Sequence, residues 1–346
     1  MSGHRGKLKI FLGYAAGVGK TYQMLTEAQH LRAQGRDVVI GYFEPHGRVE
    51  TIAQTEGLEF VPRKVIEHRG AIFEEMDTDA VLARKPQVAA VDEFAHTNVP
   101  GSERSKRWQD VMPMLDAGID VLTSLNVQHI ESLNDQVWHV TGIRVRETVP
   151  DWVVQEADEV VMVDVTPRAL LHRLERGVVY APDKAQKAIE NFFTESNLTA
   201  LRELALRQTA HQLEEKREEL RLPQPVRGPE EASHERILLW LTPHPSAAML
   251  IRRGRRVADY LGSPCTAVYW EKEAVAMEPY LNFCRNLRIT ADAVDGVELS
   301  RSVAAYAREH GITQVYVTRD APDVSKLVNL ARDMQVTIVA ERVRHP

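Results

Sequence analysis

Gly17-Val18-Gly19-Lys20-Thr21 stands between a short apolar run and the start of an amphipathic stretch. Glycines at such a point let backbone N–H groups turn inward around an anion. A helix beginning near Lys20 adds unpaired N–H donors and the positive end of its dipole. A lysine in this position reaches the β- and γ-phosphates of a nucleotide, and the hydroxyl that follows it ligates Mg²⁺. The string matches the end of a phosphate-binding loop. Standard spacing puts the first glycine of that loop at position 14, which is Tyr14 here, and Gly13 comes one residue early. The expectation is ATP with Mg²⁺, cradled by Gly13, Ala16, Gly17, Val18, Gly19, Lys20 and Thr21.

A partner to this loop belongs on a neighbouring strand. Val88-Ala89-Ala90-Val91-Asp92-Glu93 is an apolar run that ends in paired acids. Asp92 would hold Mg²⁺ through water beside Thr21, and Glu93 would position or deprotonate an attacking water. Two further polar clusters fall where strands end: Glu44, His46 and Arg48 in one, Asn126 and Gln128 in the other. Ligands of open α/β sheets bind outside the carboxyl ends of strands. These residues are therefore candidates for sensing the γ-phosphate or contacting the base, with loop solvation as the alternative. His96 and His129 lack the tight His/Cys spacing of a metal centre.

The elements that must position these groups are readable from periodicity. Apolar runs at 8–12, 38–42, 88–91, 121–125 and 159–165 read as strands. Met24, Leu25, Ala28 and Leu31 mark a helix over 21–34, ended by Gly35. Strand and helix in alternation argue for a parallel sheet covered on both faces. From 184 to 220 the pattern is helical, with Ala185, Ala188, Ile189 and Phe192 and then Leu198, Leu201, Leu204 and Ala205 in a stripe; Ser196-Asn197 reads as a break. Residues 222–229 hold three prolines and a glycine, a linker signal. Beyond it a second α/β series runs through strands at 237–241, 266–270, 314–318 and 336–340 and helices at 247–261, 300–309 and 324–334. The expected fold is α/β. A P-loop-type parallel-sheet domain (1–221) and a linker (222–233) precede a smaller doubly wound domain (234–346), sizes ordinary for domains.

Composition narrows the class. The chain has 346 residues and a net charge of −6, the wrong sign for a dedicated nucleic-acid binder. Two cysteines, Cys265 and Cys284, rule out a disulfide framework and fit a reducing compartment. No apolar run approaches the roughly 18 residues of a membrane span, and the polar, basic start lacks a signal-peptide core. The expected location is cytoplasmic, including the cytoplasmic part of an inner-membrane protein.

Several long strings resemble the N-terminal sensor domain of the KdpD family, the potassium-responsive histidine kinases of bacteria. They are Gly17 to Tyr22, Glu44 to Arg48, Asp92-Glu93-Phe94-Ala95-His96-Thr97-Asn98, and Leu125-Asn126-Val127-Gln128-His129-Ile130-Glu131-Ser132-Leu133. Asn191-Phe192-Phe193 and the run from Asn197 to Ala205 extend the resemblance over about the first 220 residues. An early glycine, as at Gly13, recurs in that family's loop. The last 110 or so residues resemble the universal-stress-protein-like domain that follows in the family. Such domains often bind ATP through an acid after the first strand and a late glycine-rich loop. This chain has Thr242-Pro243-His244-Pro245-Ser246 after the first strand, Arg319 after Thr318, and no glycine beyond Gly311. No ATP binding is expected in this half. Some relatives bind a cyclic dinucleotide here. Ser246 with Arg252, Arg253, Arg255 and Arg256 would serve its phosphate, against the plainer reading of a basic exposed helix face.

The resemblance implies an ATP-binding regulatory module of a two-component phosphorelay that controls potassium transport. It implies as partners a histidine kinase core or membrane sensor part, a response regulator and a potassium transporter. Glu93 allows a weak ATPase, and no arginine finger is evident; related loops then hydrolyse on the order of 10⁻⁴ to 10⁻² per second. The alternatives are a turnover enzyme (a slow ATPase or small-molecule kinase) and an interaction or cyclic-dinucleotide-binding module.

Overall fold

In the computed structural model, residues 4–176, 192–221 and 235–340 are described. The chain divides into two compact units, 1–221 and 222–346. Among the described residues no helix is long and apolar enough to cross a membrane.

The first unit is built on a six-stranded sheet. Its strands are β1 (Leu8–Gly13), β2 (Val38–Tyr42), β3 (Glu59–Phe60), β6 (Val88–Val91), β7 (Asp120–Asn126) and β8 (Glu159–Met162). They lie in the order β3-β2-β6-β7-β1-β8, and every pairing is parallel. Parallel sheets are covered on both faces, which is why the central strands are apolar without alternation. All residues of β2 and β6 are buried, as is β1 apart from Lys9. Lys9 is stabilised instead by Glu27 at 2.7 Å and Glu159 at 3.0 Å.

The covering helices are α1 (Lys20–Ala33), α2 (Val49–Ala53), α3 (Thr78–Arg84), α4 (Arg107–Asp116), α5 (Asn134–Thr141), α6 (Asp151–Gln155), α7 (Pro167–Glu175) and α8 (Glu195–Arg221). Helix α1 buries Met24, Leu25 and Ala28 and ends before Gly35, as its periodicity requires. A two-stranded antiparallel hairpin, β4 (Lys64–His68) and β5 (Ala71–Glu75), stands apart from the main sheet. Its strands leave Val65, Ile72 and Phe73 exposed but bury Glu75.

The expected break at Ser196-Asn197 lies just ahead of those residues, since 192–194 are non-helical and α8 begins at Glu195. Both residues lie in the first turn of α8, where the Asn197 N–H donates to the Thr194 hydroxyl at 3.2 Å. Polar side chains there cap a helix start rather than interrupt a helix. Leu198, Leu201 and Ala205 are buried as the stripe requires. Its earlier part, Ala185 to Ile189, and the whole linker, 222–233, lie outside the described residues.

The second unit holds β9 (Ile237–Trp240), β10 (Cys265–Trp270), β11 (Thr290–Val294), β12 (Gln314–Thr318) and β13 (Gln335–Val339), all parallel in the order β11-β10-β9-β12-β13. Its helices are α9 (Ser246–Leu261), α10 (Ala274–Asn286), α11 (Leu299–Glu309) and α12 (Val324–Leu330). The twofold period of β9 separates two cores. Ile237 and Leu239 pack with Leu250 and Ile251 of α9, whereas Leu238 and Trp240 pack with Val303 and Ala307 of α11. Helix α12 stops at Leu330, four residues before the expected end. Both cysteines are free and buried, and burial pushes each thiol up to about 12.

Candidate functional site

Strand β1 ends at Gly13, and the chain loops through 14–19 before α1 begins at Lys20. Gly13 faces the stem of Lys20. A Cβ there would stand 2.6 Å from Val18 Cγ2 and 2.9 Å from Lys20 Cδ, so the early glycine makes room for the lysine to fold back. Position 14 needs no glycine. Tyr14 is fully buried and its hydroxyl donates to the Val165 carbonyl at 3.0 Å, fixing the loop to the segment after β8. Gly19 has φ of +108° with open space where a Cβ would be, so its glycine is required by backbone conformation rather than by crowding.

Lys20 is only 8% exposed, and its Nζ donates to the Ala15 carbonyl at 3.1 Å. No carboxylate among the described residues comes within ion-pair distance of it. Burial lowers its ammonium to about 8; the Asp92 charge works against that shift, and the Arg48 charge adds to it. The Thr21 hydroxyl lies 3.1 and 3.3 Å from the two carboxylate oxygens of Asp92. Asp92 follows β6 and is 2% exposed. Burial pushes its carboxyl up, and the Ser124 hydroxyl, which donates to it from β7, holds it back.

The strand order sets this geometry. Strand β7 lies between β1 and β6, so its end, Asn126, falls between the lysine loop and the acids. Asn126 and Gln128 line the same cavity as Ala16, Lys20, Thr21, Asp92 and Glu93, about 380 Å³ in volume. Asn126 Oδ1, Gln128 Oε1 and Arg48 Nε are buried there without a hydrogen-bond partner. Buried polar atoms normally find partners, so three orphans in one cavity mark a place for a polar ligand.

Glu93 holds a left-handed backbone, φ +57°, which is uncommon outside glycine and asparagine. Its carboxylate lies 3.2 Å from His46 Nε2. Burial acts to raise the Glu93 carboxyl, but the His46 hydrogen bond and the charges of Arg107, His46 and His96 together leave it below the ordinary range. It is therefore an ionised group facing the cavity. His129 also lines the cavity; burial lowers its imidazole, and its Nδ1 lies 2.7 Å from the Glu147 carbonyl. Among the described residues no group of His, Cys, Asp and Glu forms a metal cluster.

Three supporting residues carry no sequence signal of comparable strength. Arg107 is fully buried, bonded to Glu75 at 2.9 Å and stacked 3.5 Å from the Tyr42 ring centre, with Glu93 at 3.8 Å. Arg173 of α7 donates to the Gly17 and Val18 carbonyls at 3.2 and 3.4 Å. Ser124 was detectable only as a hydroxyl inside an apolar strand.

The corresponding crevice of the second unit is closed by its own side chains. Strands β9 and β12 are neighbours whose onward connections diverge, the place where doubly wound sheets take ligands. There Asp320 accepts hydrogen bonds from Thr242 at 3.0 Å, Ser246 at 2.9 Å and Thr318 at 3.1 Å. Ser246, a candidate phosphate ligand, is thus engaged internally. On α9, Arg255 pairs with Asp259 and Arg252 lies over the Phe283 ring.

Residues 4–213 match the model of KdpD, the osmosensitive K⁺ channel His kinase sensor domain. The chain is 44% identical to the sensor protein KdpD of Escherichia coli over 97% of its own length and 40% of that protein's. It is 52% identical to a putative sensor protein KdpD of Synechocystis, covering 74% of this chain and 68% of the relative. With the Clostridium acetobutylicum sensor protein KdpD it shares 40% identity over 96% of this chain and 38% of the relative. The chain therefore spans well under half the length of two of these relatives, and it belongs to the KdpD sensor-domain family.

Proposed function

We propose that the first unit is a P-loop module that binds ATP with Mg²⁺ and serves as the nucleotide-responsive regulatory part of a two-component system linked to potassium. The observation that carries this reading is the Thr21 hydroxyl set against the buried Asp92 carboxylate, beside a buried Lys20 that no carboxylate among the described residues reaches at ion-pair distance. Lys20 has its desolvation offset once a polyphosphate arrives. Thr21 and Asp92 would hold the metal ion, which would neutralise charge on the phosphates. The partnerless atoms of Asn126, Gln128 and Arg48 supply donors and acceptors for the same ligand.

The second unit serves in this reading as a universal-stress-protein-like domain that makes contacts rather than binding ATP. Ser246 already donates to Asp320, so neither a triphosphate nor a cyclic dinucleotide finds it free. The partners of the module are a histidine kinase core or membrane part of the same system, with response regulator and potassium transporter contacts beyond it. Slow hydrolysis is the second reading, favoured by an ionised Glu93 held toward the cavity by His46.

Calorimetric titration of wild type and Lys20→Ala with MgATP, with phosphate release recorded alongside, tests both. Charge-assisted contacts contribute roughly 1.5–3 kcal/mol each, so the variant should bind at least an order of magnitude more weakly. Equal affinities would remove the reading. Release of many phosphates per second would move the protein to the enzymes.

A further inference from the structure

Arg48 follows the loop after β2 and lies on the far side of the cavity from β1, since β2 neighbours β6 and not β7 or β1. The loop that carries it is unusual. His46 and Gly47 both have positive φ, +46° and +70°, and the Arg48 N–H closes a turn onto the Pro45 carbonyl at 3.0 Å. The chain is thereby folded over the cavity. Arg48 lines that cavity together with Lys20, Thr21 and Asp92. Its Nε is buried without a hydrogen-bond partner, and no carboxylate among the described residues pairs with it. Other arginines around this site are committed elsewhere: Arg107 to Glu75, Arg63 to the Phe43 carbonyl, and Arg173 to the lysine loop.

An arginine fork with a buried, unsatisfied N–H, close to a buried lysine, is poised for a multiply charged oxyanion. The position along the phosphate chain follows from the metal ligands. Thr21 and Asp92 would hold the magnesium ion, which would neutralise charge at the terminal end of the phosphate chain. Thr21 leads α1 next to β1, and Asp92 ends β6, so the terminal phosphate belongs on the β6 side. The β2 loop is the next element out in that direction. His46, two residues before Arg48, holds Glu93 from the same loop.

We infer that Arg48 is the residue that contacts the terminal phosphate and makes the site distinguish a nucleoside triphosphate from a diphosphate. This rests on the nucleotide reading above. It assigns the loop after β2 to the γ-phosphate and leaves the base to other residues.

The full chain is titrated with MgATP and with MgADP, as wild type, Arg48→Ala and Arg48→Lys. Truncation to alanine should weaken ATP about 10- to 150-fold and leave ADP within about twofold, because the lost contact is one charge-assisted bond to a group ADP lacks. Lysine should recover part of the ATP affinity, since it restores charge without the fork. Unfolding midpoints without ligand show whether the variants are folded, and the lysine variant carries the test if the alanine variant is not. If wild type binds both nucleotides and the variants lose them equally, or lose neither, the assignment of Arg48 is wrong while the site stands. If wild type binds neither nucleotide, the site reading fails and the assignment with it.

Discussion

Replacing Lys20 with methionine keeps an unbranched stem over Gly13 and removes a buried charge, and it should change how stability depends on pH. Burial lowers this ammonium from its ordinary 10.5 to about 8. Between those values the unfolded chain binds more protons than the native one, so wild-type stability rises with pH across that window. The charge penalty is present in full below pH 8 and is relieved as pH climbs toward 10.5. At ~1.4 kcal/mol per pH unit, the rise amounts to about 3 kcal/mol. The methionine variant lacks that rise. At pH 7 it gives up one hydrogen bond to the Ala15 carbonyl, about 1 kcal/mol, and it also takes a positive charge from beside Asp92. It should therefore match or modestly exceed wild type there, and fall behind at high pH. Urea unfolding of both proteins at half-unit steps from pH 7 to 10.5 gives the difference directly, and groups common to both cancel. Parallel curves would refute the reasoning, because they would mean that Lys20 is solvated and its burial carries no electrostatic cost.

Glu93→Gln should bind ATP as wild type does while its phosphate release, on the order of 10⁻⁴ to 10⁻² per second in wild type, falls at least tenfold; unchanged release in a single-turnover assay would clear Glu93 of any role. Arg107→Ala takes the arginine from buried Glu75 and leaves it the His96 ring and the Val99 N–H, so it should cost about 3 kcal/mol in urea unfolding, the low end for a broken buried pair. A loss below about 1 kcal/mol there would show that the buried pair is not coupled as its geometry implies. In the full chain, Lys20→Ala should show at most one, weakened isotherm for ATP up to millimolar ligand. A second isotherm, equal in wild type and variant, would place a nucleotide on the second unit despite Asp320.

The strands that carry the site were legible because parallel strands covered on both faces must be apolar throughout, and 88–91 and 121–125 can satisfy little else. The loop was legible because so few backbones tolerate Gly17 and Gly19 followed at once by a lysine. The hairpin 64–75 was not, since it alternates on an exposed surface and lies outside the main sheet. Helix α10 and strand β11 were missed for a related reason: Thr290-Ala291-Asp292-Ala293 is half polar because β11 is an edge strand. Arg107 could not have been singled out, because its partners Glu75 and Tyr42 are scattered along the chain and meet only when the sheet closes. The role of Gly13 also needed the folded loop, where the neighbour it accommodates is the lysine stem.

The strand order that places β7 beside β1 also governs how the chain acquires its shape during synthesis. Leu8 is registered against Val121 and Lys9 against Glu159, so neither neighbour of the first strand is local. The Lys7 N–H waits for Asp120, 113 residues later, and the Leu8 N–H for Asp158, 150 residues later. At about 5–20 residues per second, a ribosome leaves this apolar strand without either edge for roughly 6–20 s. Local helices such as α1 can form at once, but the sheet cannot close around them until β7 emerges. Such non-local pairing slows folding and leaves strand edges open to other chains. Truncations that end before Asp120 would remove not only a wall of the cavity but the middle strand on which β1 and β6 are assembled.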